Sequence, residues 1–339
     1  MVPLTSSSQI AAIEAAVSDS AGLILVGDIG GTHARFALAP LAGSLQLTAL
    51  RKWRVADFPT LVKAAQAYLE EVAPNSAVRL GSIAVAGPAV DDRVQVTNCH
   101  WQFSIQETQH ALGFEQLHTI NDFAANSWAL PGLEDVDLVP IGACRPDKGR
   151  DGLSVVLGPG TGLGVGAIHC GRDGRVTVFE TEGGHVSFAP TNEEEDRILL
   201  RLRQRYGRVS YERLLCGAGL VNIYDALADC GTEIEPSEVT ARAISDPRAA
   251  RAVELFCEML GSFAGDVALM YGAWNGVYLA GGVLGAMRQA LAGGGFRRCF
   301  ENKGRFSAML AQVPTLLIDQ PALGLMGAAA ALRHQLGSR

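Results

Sequence analysis

The chain has no cysteine pair at metal-ligand spacing. Its seven cysteines, Cys99, Cys144, Cys170, Cys216, Cys230, Cys257 and Cys299, are widely scattered and odd in number. The absence of any C-x-x-C argues against both a zinc cluster and a disulfide framework. Reduced, mostly buried thiols in a cytoplasmic protein are the expectation. There is also no apolar run of roughly 18 residues, so no membrane span is expected. Residues 1–22, MVPLTSSSQIAAIEAAVSDSAG, lack a basic start and a continuous apolar stretch, so they do not read as a signal peptide. Ser6 or Ser7 is expected to cap a short Ala-rich helix there.

A basic face is missing too. The net charge is −7 and the pI is near 5.5. The densest basic cluster, Arg197, Arg201, Arg203, Arg205 and Arg208, directly follows the acidic run Glu193–Asp196. It reads as a solvated helix of mixed charge, and nucleic acid is not expected as a partner. No low-complexity linker divides the chain, although its length suits two domains.

Glycine, by contrast, is abundant at 39 residues, and it is clustered. GDIGGT (27–32), GPGTGLGVG (158–166) and AGG (280–282) each follow a short apolar run, so each reads as a buried strand ending in a glycine turn. A second strand signal follows the first cluster, Ala34 to Ala39, and another follows the second, Gly164 to His169. Strand–turn–strand is a hairpin, not the strand–turn–helix of a dinucleotide fold, and residues 27–32 do not fit G-x-G-x-x-G. Two similar hairpins about 130 positions apart hint at two related halves. Helical periodicity marks Leu61–Val72, Asp122–Leu130, Glu193–Tyr206, Gly219–Ala228, Ala249–Tyr271 and Ala322–Gln335. Strand signals at Arg79–Ala86, His118–Ile120 and Thr315–Ile318 alternate with them, which makes the class α/β. Thr191 and Glu194 have the spacing of a capping box.

Several side chains within this frame can carry chemistry. In the first hairpin, Gly30 and Gly31 let backbone N–H groups approach phosphate oxygens, and Thr32 adds a hydroxyl. Asp28 stands at the strand end, where a carboxylate can hold Mg²⁺ through water. Thr161 supplies the hydroxyl of the second turn, Gly158–Gly164. Either turn taken alone is also an ordinary tight hairpin. Asp122, in Asn121-Asp122-Phe123 after a short strand, can accept a proton from a substrate hydroxyl or can simply cap the following helix. Glu182 and His185, around Gly183-Gly184, can converge on one polar ligand. Sugar hydroxyls, which both donate and accept, would suit them, and metal ligation is the competing reading. Glu212 is a weaker candidate, with a surface glutamate as its plain alternative. Gly281 and Gly282 would let adenine or ribose lie against backbone, or would pack a strand–helix turn.

Taken together these motifs carry a resemblance. LVGDIGGTHARFAL, GPGTGLGVG and VYLAGGV resemble the two phosphate motifs and the adenosine motif of the hexokinase–actin–Hsp70 ATPase superfamily. TNCHWQFS, TINDFAANSWALP, ETEGGHVSFAPTNEEE, SYERLLCGAGLVNIY and ENKGRFSAML resemble, in the same order, the bacterial glucokinase family, from about Gly22 to the C-terminus.

The resemblance implies a two-lobed actin-like ATPase (ribonuclease H-like) fold with a ligand cleft between the lobes. A small α/β lobe would comprise residues 21–132 plus 322–339 and a large α/β lobe residues 133–321, with residues 1–20 as an extension. It implies ATP-dependent phosphorylation of D-glucose at the 6-hydroxyl in the cytoplasm, with ATP and Mg²⁺ as cofactors and Asp122 as catalytic base. Asn98, Asn121, Glu182, His185 and Glu212 would join Asp122 in binding sugar. Gly27, Asp28, Ile29, Gly30, Gly31 and Thr32 would bind ATP with Gly158, Gly160, Thr161, Gly162, Gly281 and Gly282, and Asp28 would hold the Mg²⁺. Relatives are often homodimers; the residues themselves show no interface.

One departure is His33, where many relatives have Asn. Two rival readings are a repressor of the related ROK group and a non-catalytic sugar sensor on the same fold, with a kinase of another hexose as a third. About 20 residues precede the first strand, too few for a helix-turn-helix. His185 is followed by VSFAPTNEEE, without the cysteines of the ROK zinc motif.

Overall fold

The run Leu23–Ile29 is apolar almost throughout because both faces of its strand are covered. In the computed structural model it is strand β1, and Leu25 and Ile29 enter one core cluster while Ile24 and Val26 enter another. A strand with two buried faces needs continuous rather than alternating hydrophobicity. The structure describes residues 22–74, 78–87, 89–147, 149–228, 231 and 233–337. The expected cap at Ser6 or Ser7, and Cys230, lie outside them. Residues 22–133 with 321–337 form one unit and residues 134–320 another.

In the first unit, β1 is followed by β2 (His33–Pro40), β3 (Thr48–Arg54), β4 (Leu80–Val85) and β5 (Gln116–Asn121). Their order in the sheet is β3-β2-β1-β4-β5. The first three strands are antiparallel, and β4 and β5 run parallel to β1. Helices α1 (Leu61–Val72), α2 (Ile105–Leu112) and α3 (Asp122–Ala129) belong to this unit. On one face Leu61, Ala64, Ala65 and Tyr68 of α1 pack with Phe36 and Ile83. On the other face the contacts are small: Ala37, Ala39, Ala84 and Ala125 meet the C-terminal helix through Ala328 and Ala329. That approach is so close that a Cβ at Gly327 would overlap the Ala125 carbonyl.

The second unit repeats the plan. Strands β6 (Leu138–Pro140), β7 (Gly152–Pro159), β8 (Leu163–Cys170), β9 (Val176–Thr181), β10 (Gly276–Leu279) and β11 (Thr315–Ile318) form a sheet of order β9-β8-β7-β10-β11-β6. Strands β7, β8 and β9 are an antiparallel meander, β10 and β11 follow in parallel, and β6 adds an antiparallel edge. Helices α4 (Glu193–Tyr206), α5 (Gly217–Ala228) and α6 (Pro247–Tyr271) lie in this unit, and α7 (Leu323–Gly337) belongs to the first. Helix α6 starts where the Asp246 carboxylate accepts from Arg248 N and ends at Gly272, φ +62°.

Three local expectations are corrected. The cap of α4 is Asn192, not Thr191, because its Oδ1 accepts from the N–H groups of Glu194 and Glu195. Thr191 instead donates through both N–H and hydroxyl to buried Glu195. The cysteines are less buried than expected: of six described and all unpaired, Cys216 and Cys257 are buried and four are half-exposed. The arginine cluster is not wholly solvated, since Arg205 bonds Asn222 Oδ1 at 3.1 Å and lies over the Tyr206 ring. Among the described residues no helix is long and apolar enough to cross a membrane.

Strand β5 carries a partly buried titratable group. His118 lies across from Ser82, with Oγ 3.4 Å from Nδ1, and burial holds its pKa below the ordinary 6.5. The unfolded chain therefore takes up this proton first as the pH falls. The group's contribution is intact above about pH 6.5 and is lost as the pH drops through the lower folded value. His118→Gln should lose less stability than the parent between pH 7.5 and 5.5, read as the shift in urea midpoint; equal losses would count against this role.

Candidate active site

Strand register assembles the candidates of the first unit. Ile29 pairs with Val85, and Val85 with Asn121, so the carboxyl ends of β1, β4 and β5 form one row. Ligands of open α/β sheets sit outside such carboxyl ends. The turn Gly30–Thr32 and the pair Asn121-Asp122 thus share one sheet edge, two strand spacings or roughly 10 Å apart. Thr97 N donates to Ala86 O and Ala86 N to Ile29 O, which brings the turn at Asn98 to the same place. Asn98 is left-handed, φ +55°, a conformation Asn tolerates better than most residues. Gly31 lies against it: a Cβ there would stand 2.7 Å from Thr97 O and 3.2 Å from Asn98 Cβ. Thr32 is exposed at the tip. Gly27 and Ile29 lie inside β1, Gly27 against Ile83 and Phe36, and both are buried.

Asn121, not Asp122, caps α3. Its Oδ1 accepts from Phe123 N at 2.7 Å and Ala124 N at 3.1 Å. Asp122 is the first helical residue and its Oδ1 accepts from Phe123 N at 3.0 Å. The plain alternative for Asp122 therefore does not hold, because its neighbour fills the cap. The cap uses only the oxygen of Asn121, so its amide N–H₂ can serve a ligand.

Asp28 is paired with Arg35, Nη1 to Oδ2 at 2.7 Å. Sequence reasoning passed over Arg35, yet the hairpin register contains the signal, since Ile29 opposite Ala34 sets Asp28 opposite Arg35. No cluster of three or more His, Cys, Asp or Glu suited to a metal occurs among the described residues. One carboxylate already shared with an arginine builds no cage. It does fit Mg²⁺ held chiefly by phosphates and water. His33, beside this pair, has its pKa lowered by burial and by the positive charges of Lys52, Arg35 and Arg54.

In the second unit the turn Gly160–Gly162 joins β7 to β8, with Gly158 inside β7 and Thr161 exposed at the tip. Gly160 N donates to Gly162 O, and Gly217 N to Gly160 O, so the start of α5 abuts the turn. Gly281, φ +115°, lies so near that a Cβ would overlap Pro159 O. Gly281 and Gly282 thus sit beside this hairpin at the carboxyl ends of β7 and β10.

Glu182 and His185 do come together. His185 Nε2 is 3.9 Å from Glu182 Oε2 and equally 3.9 Å from Glu212 Oε1. Glu212 is not a surface glutamate: its side chain is 28% exposed and its Oε2 accepts from Leu163 N at 3.0 Å. It joins the His185 turn to the base of the second glycine hairpin. Gly162 accepts this closeness, because a Cβ there would lie 2.5 Å from Glu212 Oε2. Gly184 packs so tightly that any Cβ would overlap Leu163 O. Sequence reasoning also missed Arg208, whose guanidinium donates to the His185 carbonyl at 2.6 Å.

Comparison with known proteins identifies the family. The family model described as Glucokinase matches residues 25–335. A glucokinase of Stenotrophomonas maltophilia (strain R551-3) is 46% identical over 93% of this chain and 96% of its own length. One from Xanthomonas euvesicatoria pv. vesicatoria (strain 85-10) is 47% identical over 91% of this chain and 94% of its own. The crystal structure of a glucokinase from an Antarctic psychrotroph superposes with a TM-score of 0.84 at 35% identity, covering 92% of this chain and 99% of that one. The two mixed sheets are those of the two-lobed actin-like ATPase fold. The chain belongs to the glucokinase family.

Proposed function

We propose that this protein transfers the γ-phosphoryl group of ATP to the 6-hydroxyl of glucose, giving glucose 6-phosphate and ADP, with Asp122 as general base. The observation that supports the assignment of the base is the register row Ile29–Val85–Asn121, by which Asp122 and a phosphate-type glycine turn share one sheet edge. Asp122 takes the hydroxyl proton as the sugar oxygen bonds to the γ-phosphorus and the bond to ADP breaks. Phosphoryl transfer asks the protein chiefly for positioning and charge stabilisation.

In the first unit Asn98 and the Asn121 amide are the groups for sugar hydroxyls, and in the second Glu182, His185 and Glu212 are. Backbone N–H groups of Gly30–Thr32 and of Gly160–Gly162 receive phosphate oxygens, with the Thr32 and Thr161 hydroxyls, and Gly281-Gly282 lies against adenosine. Asp28, oriented by Arg35, would hold Mg²⁺ through water, and the ion would neutralise phosphate charge. Gly27, Ile29 and Gly158, buried in β1 and β7, belong to the same two ATP-binding segments.

The test is ADP release from ATP with a panel of hexoses. Turnover with glucose well above the other sugars is expected; none with any hexose would leave the sensor reading, and a preference for another hexose would reassign the substrate. Glu182→Gln and His185→Ala should raise the KM for glucose about tenfold, with the KM for ATP little changed. An unaltered glucose KM in both would remove these residues from the sugar site.

A further inference from the structure

The turn that carries His185 is fastened from a distant part of the chain. Its own bonds are short in range: His185 N donates to Glu182 O and Val186 N to Gly183 O. The His185 carbonyl is taken instead by Arg208, Nη2 to O at 2.6 Å, across 23 positions of sequence. Arg208 returns to this point because the segments at 186–188 and 209–211 pair. Phe188 N donates to Val209 O, Tyr211 N donates to Val186 O, and Ser187 bridges Ser210. Buried Tyr211 anchors this pairing by stacking on Phe263 at 4.3 Å between centroids. Arg208 and Glu212 therefore flank one short paired segment and reach His185 at different points. One meets its carbonyl and the other its imidazole, at 2.6 and 3.9 Å.

Packing alone does not hold the sugar-facing side chains. Glu182 is 84% exposed and His185 56% exposed. The two residues between them are glycines, which lose the most backbone freedom on ordering. A turn ordered only when ligand arrives binds more weakly than one already in place. A charge-assisted bond from a planar guanidinium supplies that order, and an ammonium at the same position supplies charge without the rigid fork.

We propose that Arg208 is a positioning residue for sugar recognition: it fixes the His185 turn, and with it the spacing of the imidazole from Glu182 and Glu212, without touching the sugar. This rests on the assignment of Glu182, His185 and Glu212 to glucose. Arg208 is exposed, so its replacement leaves the core intact.

The experiment is steady-state kinetics on Arg208→Ala, Arg208→Lys, His185→Ala and the Arg208→Ala/His185→Ala double variant, with melting temperatures of each. Arg208→Ala should raise the KM for glucose about 3–10-fold, the worth of one such hydrogen bond. Its kcat, its KM for ATP and its melting temperature should change little. Arg208→Lys should recover part of the loss. In the His185→Ala background, Arg208→Ala should add almost nothing, because two residues acting through one contact are not additive. An equal rise in both backgrounds would overturn the proposal, as would no rise from Arg208→Ala when His185→Ala does raise it. A glucose KM unmoved by His185→Ala would instead bring down the sugar-site reading itself.

Discussion

Asp122→Asn should lower kcat by at least about 10²-fold, with the KM values for glucose and ATP changing less than about threefold. A positioned general base contributes about 10²–10⁴-fold, and it acts in the transition state, so its loss falls on kcat. Asparagine is close in shape to aspartate and keeps an oxygen that can accept from Phe123 N, as Asp122 Oδ1 does. The helix cap is untouched, because Asn121 makes it. Folding should therefore be preserved, and the melting temperature should show it. The contrasting variant is Asn121→Ala, which removes the cap and should cost about 0.5–2 kcal/mol of stability. If Asp122→Asn turns over near the parent rate, the proton has another acceptor and the assignment is wrong.

The weight of that prediction rests on residues that differ in how far the sequence exposes them. Helices 61–72 and 193–206 and strand 315–318 have the bounds their periodicity marks, since each pairs one apolar face or run with clear end signals. The two glycine hairpins were legible for the same reason: apolar runs flank short glycine-rich turns. The alternative left open at Asp122 turned on which of two adjacent residues takes the cap, and that at Glu212 on a partner far away in the chain. Asn121 takes the cap by position: its backbone is extended and its Oδ1 accepts from two N–H groups, while Asp122 already lies in the first helical turn. Glu212 is only a weak candidate on the sequence, with a surface glutamate as its alternative, because its partner, Leu163 N, lies 49 positions away. Arg208 read as one more charge on a mixed helix because its acceptor is a carbonyl, which carries no signature in the sequence. Local chemistry marks turns and helix ends; contacts that close long loops become visible only with strand pairing known.

Glu212 supports the second large effect, because it bonds one part of the proposed site and faces another. Glu212→Ala should raise the KM for both glucose and ATP, each by about tenfold or more. The glucose effect follows from its place 3.9 Å from His185 Nε2. The ATP effect follows from Leu163 N, which opens β8 directly after the turn Gly160–Gly162 and belongs to a residue only 5% exposed. A buried N–H that loses its acceptor costs about 1–3 kcal/mol, and that cost falls on the hairpin proposed to receive phosphates. Glu212→Gln separates the two roles. Glutamine keeps an oxygen for Leu163 N, so the KM for ATP should stay near the parent value. It loses the charge facing His185, so the KM for glucose should still rise. Glu182, 84% exposed, should show the glucose effect alone in either substitution. If Glu212→Ala moves only the glucose KM, the hairpin does not depend on this carboxylate. If it moves only the ATP KM, Glu212 is a support for the phosphate turn and leaves the sugar to Glu182 and His185.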